Sequence, residues 1–334
     1  NTYDVANTLT AGYVSGALPI GESLTLSGGA RVEAYRLNLT SAIDAGPVRL
    51  DTLQLALLPS VNATWNFTPK SLVRVAASRT VNRPEFRELA PFVFFDFEQS
   101  AEIQGNPRLQ PARIYNADVR YEFYPTPSEL ISVGVFGKQF YSPIERLIVP
   151  SPSLVYNIQN TDRAWSAGVE LEARQTFAHL SANPVLQRFG LTLNASLIAS
   201  RVQLTPEQQK VQVSNRRLQG QSPYIVNTGI FFQNDENGWL ASALYNVAGP
   251  RIFAVGSISQ DPDIYEMPRH QVDLTVAKRF GTHIEVKAGV QDLLNQRVQF
   301  TQDTNTDGRI TGIDENIARF RRGQYSTLSF LYRF

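Results

Sequence analysis

The sequence Ile-Tyr-Asn-Ala-Asp-Val-Arg-Tyr-Glu-Phe, at residues 114–123, carries the alternation from which the fold follows. Its odd positions are apolar or aromatic: Tyr115, Ala117, Val119, Tyr121 and Phe123. Its even positions are polar or charged: Asn116, Asp118, Arg120 and Glu122. A period of two places successive side chains on opposite faces of a β-strand. This strand therefore has one apolar face and one face suited to water.

The same alternation recurs along most of the chain. In residues 53–67 the apolar side chains fall on odd positions, with Ser60, Asn62 and Thr64 between them. Comparable patterns lie at residues 24–34, 73–80, 131–135, 166–174, 191–197, 226–233, 239–246, 271–276, 284–291 and 327–334. With a first strand near residues 9–18, the chain is expected to hold about thirteen strands, several near the roughly ten residues that cross a bilayer.

The connections between these segments alternate in length. Short ones fall at residues 19–22, 68–70, 125–127, 234–237 and 281, with a medium one near 181–186. Long ones fall at residues 41–48, 81–112, 147–161, 205–221, 249–267 and 301–318. Short turns on one side and long loops on the other are typical of an outer-membrane barrel. The sequence therefore predicts an all-β fold, a transmembrane antiparallel up-and-down β-barrel whose polar faces line a wet lumen.

A large soluble sandwich or propeller, in which apolar faces meet in a dry core, is the alternative fold. Strands of about ten residues exceed the usual five or six of soluble sheets. Aromatic residues at strand ends, among them Trp65, Phe67, Trp239 and Tyr332, suit the interfacial girdles of a membrane barrel. The membrane barrel is the favoured interpretation.

Composition excludes several classes of function. The chain has 334 residues, a net charge of +1, no cysteine and three histidines. The small net charge provides no long-range field for nucleic acid, so none is expected as a partner. Without cysteine there is no thiolate nucleophile. His179, His270 and His283 are widely separated in sequence and suggest neither a zinc site nor a catalytic pair. We expect no enzyme.

The carboxy-terminus carries a spaced motif: Thr327, Ser329, Tyr332 and Phe334. This pattern looks like the signal with which outer-membrane proteins engage the barrel assembly machinery, with Ser329 where a glycine is usual. An ordinary amphipathic strand is the alternative. We expect the barrel assembly machinery as a partner and outer-membrane lipid around the apolar faces.

A cation-binding pattern lies in the last long loop. Its candidate metal ligands are Asp303, Asn305, Asp307, Arg309 through its backbone carbonyl, and Asp314. Oxygen-bearing side chains at alternate positions, then a glycine that permits a sharp turn, are typical of a calcium loop. Aspartate stands at the last position, where a glutamate is usual. Calcium is thus a candidate cofactor that would stiffen the loop, and a solvated loop rich in Asp and Gly is the alternative.

The loop at residues 83–111 contains candidates for contact with a ligand or partner: Phe92, Phe94, Phe95, Asp96 and Phe97. Phenylalanine rings left in water are costly. They are expected to pack on neighbouring loops, to enter the lumen, or to meet a ligand or a partner such as a surface lipoprotein. At the base of this loop, Arg83 is expected to pair with Glu85 or Glu88.

A resemblance to a known family rests on residues 78–144. The run Ser-Arg-Thr-Val-Asn-Arg-Pro-Glu-Phe-Arg-Glu-Leu at 78–89, the later Gly105-Asn106-Pro107 and residues 116–124 are similar to the middle of the barrel of TonB-dependent receptors, particularly those of Bacteroidota. Residues 58–60, residues 291–295 and the aromatic terminus show the same similarity.

This resemblance implies an outer-membrane barrel of about 22 strands, closed by an N-terminal plug. Residues 1–334 are then expected to be the C-terminal barrel part, with the plug and early strands absent from this chain. It implies import of a scarce or bulky ligand, captured by long extracellular loops. Import would be driven by an inner-membrane energy-transducing protein that contacts the missing N-terminal region. A non-transporting scaffold or docking subunit of a surface complex, or a passive porin, is the alternative. The ligand itself does not follow from the sequence.

Overall fold

The computed structural model describes residues 2–43, 46–97, 101–149, 151, 154–258, 262–305 and 310–334. Its strands are, in chain order, β1 (Thr2–Ile20), β2 (Leu24–Ile43), β3 (Gly46–Thr68), β4 (Ser71–Asn82), β5 (Val93–Asp96), β6 (Ala101–Gln104), β7 (Ala112–Phe123), β8 (Leu130–Tyr141), β9 (Ile144–Val149), β10 (Val155–Asn160), β11 (Arg163–Thr176), β12 (Phe189–Gln203), β13 (Tyr224–Asn234), β14 (Trp239–Ala248), β15 (Arg251–Ala254), β16 (Ile264–Glu266), β17 (Gln271–Phe280), β18 (Ile284–Gln291), β19 (Val298–Gln302), β20 (Glu315–Phe320) and β21 (Tyr325–Tyr332). Short 3-10 helices lie at Phe177–His179, Leu186–Arg188 and Gln208–Lys210. None of the described helices has the length and apolar character needed to cross a bilayer.

Thirteen strands form one antiparallel sheet, which we call the wall sheet. Its order is β1-β2-β3-β4-β7-β8-β11-β12-β13-β14-β17-β18-β21. Each strand therefore pairs with the next long strand along the chain, as expected for an up-and-down topology. The predicted number of strands is confirmed. Within the described residues β1 and β21 do not pair with each other, so the wall sheet is open.

The register of the wall sheet stacks its outward side chains into apolar rows. One row is Val75, Val119, Val135, Val169 and Leu197. The row above it is Ala77, Ala117, Gly137, Ala167 and Ala199. On β3, Leu53, Leu55 and Leu57 remain 64%, 73% and 52% exposed. Apolar rows left uncovered on one face are the arrangement of a sheet in hydrocarbon, and a dry sandwich core is excluded for these residues.

The faces of the wall sheet invert along β2. In its lower half, Val32 is exposed on the outward face and Glu33 is buried on the inward face. In its upper half, Arg36 and Asn38 are exposed, whereas Leu39 is buried. The expected long loop at residues 41–48 is therefore wrong, because β2 and β3 stay paired up to Ile43 and Gly46. In the upper half, polar side chains face outward and apolar side chains face inward, since water replaces lipid outside this part of the sheet.

Two small sheets occupy the side of the long loops. Their orders are β5-β6-β10-β9 and β15-β16-β19-β20. A parallel bridge joins Leu147 to Val255, with Ile148 N donating to Val255 O at 2.7 Å and Val255 N donating to Arg146 O at 2.9 Å. The two sheets thus form one continuous layer, which we call the cap. Sequence patterns had predicted loops there.

The cap has its own apolar core. Its buried members include Leu37, Leu39, Leu89, Ile103, Ile148, Tyr156 and Ile264. Leu37 and Leu39 belong to the inward face of β2, so the cap packs against the lumen side of the wall sheet. Gly105 allows the first loop to fold back closely, because a Cβ there would lie 2.4 Å from Ala90 O.

Candidate functional site: the cap and the lumen face

A buried ion pair joins two of the outer loops. Arg216 and Glu145 form two hydrogen bonds, Nη1 to Oε1 at 2.9 Å and Nη2 to Oε2 at 2.7 Å. Their side chains are 2% and 0% exposed. Burial alone would raise the pKa of Glu145, but the hydrogen bonds and charge of Arg216 hold that pKa below its ordinary value. The Thr161 hydroxyl and Gln219 N also donate to Glu145. The pair fixes residues 204–223 to β9.

Arg146 lies at the seam between the two cap sheets. Its guanidinium group is 5.3 Å from the ring centroid of Tyr156 and 5.0 Å from that of Phe253. Burial lowers the pKa of Arg146 and raises the pKa of Tyr156 to about 12. The Gln219 side chain accepts from Arg146 N at 2.6 Å and donates to Phe253 O at 2.5 Å. These contacts give the seam a fixed geometry.

The four rings of the predicted aromatic cluster have different surroundings. Phe92 packs edge-on against Tyr3, with ring centroids 5.5 Å apart. Phe94 packs on the cap core. Phe95 and Phe97 contact each other at 5.1 Å and remain 48% and 86% exposed. Asp96 lies within electrostatic range of the half-buried Arg146 guanidinium. Only half of the rings therefore pack within the cap.

The expected pairing of Arg83 with Glu85 or Glu88 is wrong. Arg83 Nη2 donates instead to Glu33 Oε2 at 2.7 Å, on the inward face of β2. Its guanidinium group lies 4.7 Å from the ring centroid of Tyr35. Glu88 accepts from Glu85 N at 2.8 Å and so closes its own turn. Arg83 thereby anchors the first long loop to the wall sheet, because Glu33 is buried and accepts hydrogen bonds there.

The predicted calcium loop is only partly described. Asp307 and Arg309 lie outside the described residues. Asp303 is buried, Asn305 is exposed, and Asp314 has both carboxylate oxygens engaged by its own loop. Oδ1 accepts from Thr304 N and Oγ1 at 3.0 and 3.1 Å, and Oδ2 accepts from Thr311 N and Oγ1 at 2.6 and 3.3 Å. These bonds, that from Thr311 N first, lower the pKa of Asp314.

Among the described side chains, no group of three acidic or histidine residues is placed to hold a metal. Donors of the same loop engage both carboxylate oxygens of Asp314. Calcium stays a prediction.

The carboxy-terminal motif lies on the edge strand β21. Thr327 and Ser329 pair with Gly289 and Lys287 of β18. The rings of Tyr332 and Phe334 contact each other at 5.3 Å and are exposed. The assembly role of these residues stays a prediction.

The inward face of the wall sheet is polar, as predicted. Arg120 pairs with Glu122 at 3.0 Å and with Glu172 at 2.6 Å, and Arg74 pairs with Glu122 at 3.1 Å. A cleft of ≈ 470 Å³ beside this network is lined by residues that include Glu172, Arg174, Asn194, Asn246 and Asp273. This face therefore presents charged groups and amides side by side.

A second cleft, of ≈ 550 Å³, lies between the outer loops. Its lining includes Arg217, Tyr224, Asp263, Tyr265, Met267 and Asp303. Burial raises the pKa of Asp263, whose Oδ1 accepts from Gly256 N at 2.7 Å. Burial also raises the pKa of Tyr265. Sequence reasoning missed this cleft because its residues come from loops far apart along the chain.

Comparison with known protein families identifies the family of this chain. A family model described as TonB dependent receptor-like, beta-barrel matches residues 1–293. The chain belongs to this family. Membership confirms the barrel fold class and the outer-membrane location predicted from the sequence. TonB-dependent receptors are not enzymes, which agrees with the sequence-based expectation.

Solved receptors and transporters share the fold of this TonB-dependent receptor-like chain. The copper transporter OprC is 13% identical with a TM-score of 0.66, over 98% of this chain and 48% of that one. The ferric yersiniabactin uptake receptor FyuA from Yersinia pestis is 13% identical with a TM-score of 0.65, over 99% and 46%. The ferric enterobactin receptor PfeA from Pseudomonas aeruginosa, solved with enterobactin, is 13% identical with a TM-score of 0.59, over 99% and 55%.

At such low identity these similarities show the fold alone. The chain spans about half the length of the solved structures that it matches. No curated protein sequence matches it. The narrower expectation of a Bacteroidota-type receptor stays a prediction.

Proposed function

We propose that this chain supplies the wall and outer loops of an energy-coupled importer in the outer membrane. The observation that carries the proposal is the position of the cap. Its core includes Leu37 and Leu39 of the inward face of β2, so the outer loops fold inward over the polar lumen face. A passive porin needs a permanently open path, whereas a capped path suits capture followed by a driven opening.

The driving partner in this proposal is the inner-membrane energy-transducing protein, acting through a plug and N-terminal region outside this chain. The thirteen wall strands would be the C-terminal part of a barrel of about 22 strands. Support comes from β1 and β21, whose outer edges are unpaired in the described structure. Unpaired backbone groups are costly in hydrocarbon, which favours further strands beside β1 and β21 in the proposed barrel.

Metal complexes are the first ligand class to test. The named cargoes of the similar structures are copper, ferric yersiniabactin and ferric enterobactin. The cleft between the outer loops combines Arg217, aromatic rings and two buried carboxyl groups, Asp263 and Asp303. That mixture suits a polar chelate better than a purely apolar ligand.

A docking subunit of a surface complex is the second candidate. The exposed rings of Phe95 and Phe97 favour it, because two neighbouring exposed phenylalanines suit contact with a partner such as a surface lipoprotein. In that role the cap would recruit the partner, and the lumen would carry no ligand.

Uptake assays on the full-length gene product separate these functions. Cells lacking the gene, with and without a plasmid copy, would be given radiolabelled iron on a panel of siderophores, or radiolabelled copper. Import predicts accumulation that needs the plasmid copy and stops when an uncoupler removes the proton-motive force. Accumulation that survives the uncoupler would indicate a porin. No accumulation, with a co-purifying lipoprotein lost on Phe95→Ser and Phe97→Ser, would indicate a docking subunit.

A further inference from the structure

The wall sheet contains a slot between β3 and β4. The pairing of these strands extends upwards only as far as Ser60 and Ser78. Above that point β3 continues to Gly46 beside β2, and β4 continues to Asn82 beside β7. Pro59 stands where the pairing ends and has no N–H to donate to a neighbouring strand. The strands therefore separate in the upper part of the wall.

Side chains from both faces of the sheet line this slot, which has a volume of ≈ 370 Å³. Leu55, Arg79, Val81 and Arg113 contribute from the outward face, and Gln54, Ala56, Leu58 and Gln110 are among the other lining residues. Leu55 is 73% exposed, so the slot opens towards the surroundings of the barrel. It combines apolar side chains, amides and guanidinium groups.

Several polar atoms at the slot are buried without a hydrogen-bond partner. They are Gln54 Oε1, Arg79 Nε and Arg83 Nε. Buried polar atoms in folded proteins nearly always have partners, so three such atoms at one place need a polar partner, which ordered water or a ligand can supply. Within the described residues, Arg79 and Arg113 form no ion pair, and their guanidinium groups contact tyrosine rings. Their charges are thus available to an anion.

The position of the slot along the membrane normal follows from two rows of outward side chains directly above the apolar rows. The lower one is Arg79, Tyr115, Gln139, Trp165 and Arg201, and the upper one is Val81, Arg113, Tyr141, Arg163 and Gln203. Arg79 lies 5.7 Å from the Tyr115 centroid, and Arg113 lies 5.9 Å from that of Tyr141. Aromatic and basic side chains above an apolar belt mark the interface with lipid headgroups.

We propose that this slot binds a phosphorylated glycolipid of the outer leaflet, of the lipid A type. Arg79 and Arg113 are diagonal neighbours on adjacent strands, within reach of one phosphate. The planar guanidinium fork matches phosphate oxygens in pairs. Leu55 and Val81 provide apolar contact for an acyl chain, and the unpartnered Gln54 oxygen accepts from a sugar hydroxyl. The site faces lipid rather than the lumen, and it does not depend on import.

Native mass spectrometry of the full-length receptor in neutral detergent tests this site. The probe is bisphosphorylated lipid A, titrated against wild type and Arg79→Gln/Arg113→Gln. The double variant is expected to bind it about tenfold or more weakly, because two charge-assisted contacts to phosphate are lost. The matched control is Arg201→Gln, which removes an outward arginine at the far end of the same row. Its binding should change by less than about twofold.

A second comparison needs no variant and decides the matter if the double variant does not fold. Wild-type receptor should bind dephosphorylated lipid A about tenfold or more weakly than it binds the bisphosphorylated form, because the phosphate contacts are lost. Inorganic phosphate at equal concentration should not displace the lipid, because it lacks the acyl contacts. Equal binding with and without phosphate would overturn the proposal. So would an equal loss in Arg201→Gln, which would indicate only a diffuse basic belt.

Discussion

The two halves of β2 bury opposite faces, although the strand is continuous. Its pairing with β1 and β3 runs without a break from Leu24 upwards. In the lower half the outward side chains, such as Val32, are apolar, and the inward Glu33 is paired with arginines. In the upper half Arg36 faces outward and Leu39 is buried beneath the cap. The surrounding medium, and not the strand, decides which face is apolar.

The two regions also gain stability differently. The wall sheet depends on its hydrogen-bonded ladders and on lipid around its apolar rows, as in other barrels. The cap depends on a buried apolar core and a buried ion pair, as in soluble domains. Substitutions should therefore affect one region without the other.

The largest expected effect follows from Arg216→Met. It leaves Glu145 buried without its cation, which costs about 3–5 kcal/mol. Hydrogen exchange should rise in β9, β10 and residues 204–223 and stay unchanged in β11 and β12. Arg188→Met is the control, since its pair with Glu236 is exposed and worth under about 1 kcal/mol. Faster exchange throughout the wall sheet would contradict the separation of the two regions.

Leu39→Ala should rank next. Leu39 is 1% exposed in the cap core, and truncation of such a side chain costs about 2–5 kcal/mol. Limited proteolysis should then cleave the outer loops sooner. The electrophoretic mobility of unheated samples should show that the barrel is still folded. Val32→Ala, on the lipid face of the same strand, should leave the cleavage rate unchanged. Equal acceleration by both variants would argue against the inversion of faces.

Val135→Arg tests the wall sheet. Val135 lies in an outward apolar row, and an arginine near the bilayer midplane costs about 2–4 kcal/mol. Gln139→Arg, on the same strand in the row with Tyr115 and Trp165, should cost about 0–1 kcal/mol near the interface. Urea unfolding in lipid vesicles, followed by tryptophan fluorescence, measures both. If the two variants unfolded at similar urea concentrations, the assigned positions of Val135 and Gln139 in the bilayer would be wrong.

The smallest effects concern two aspartates of the outer loops whose pKa values move in opposite directions. Hydrogen bonds lower the pKa of Asp314, so its stabilisation is full above the ordinary aspartate pKa and is lost as pH falls. Burial raises the pKa of Asp263, so stability falls as pH rises through that pKa. At pH 7, Asp314→Asn should speed hydrogen exchange in residues 301–315, and Asp263→Asn should slow it around residues 256–264.

The difference for Asp263→Asn should shrink as pH falls towards about pH 4, near the ordinary aspartate pKa, whereas the difference for Asp314→Asn should shrink only as pH falls below about 4. A pH-independent difference in either variant would show that the side-chain charge is not the cause. Adding calcium to the wild-type protein in the same experiment tests the predicted cation site, because a bound ion would slow exchange in residues 301–315 further.

The wall sheet could be predicted from the sequence because its signal is local. Alternation such as that of Tyr121, Glu122 and Phe123 persists over a whole strand, and lipid enforces it on every strand. The cap could not be predicted from the sequence, because β9 and β10 have only six residues each and pack on one another. The pairing of Arg216 with Glu145, 71 residues apart, has no signal in one sequence. Pro59 can be read from the sequence, but the slot beside it can be found only from the register of β3 and β4.

The seam at Leu147 and Val255 couples loops that follow different wall strands. Because β5, β6, β9, β10, β15, β16, β19 and β20 form one layer, displacing any of them strains its neighbours. Loops built this way cannot sample open positions one at a time. In the proposed importer, entry of a ligand would then require one concerted displacement, and stopped-flow measurements of its binding would resolve a single opening rate instead of a separate rate for each loop.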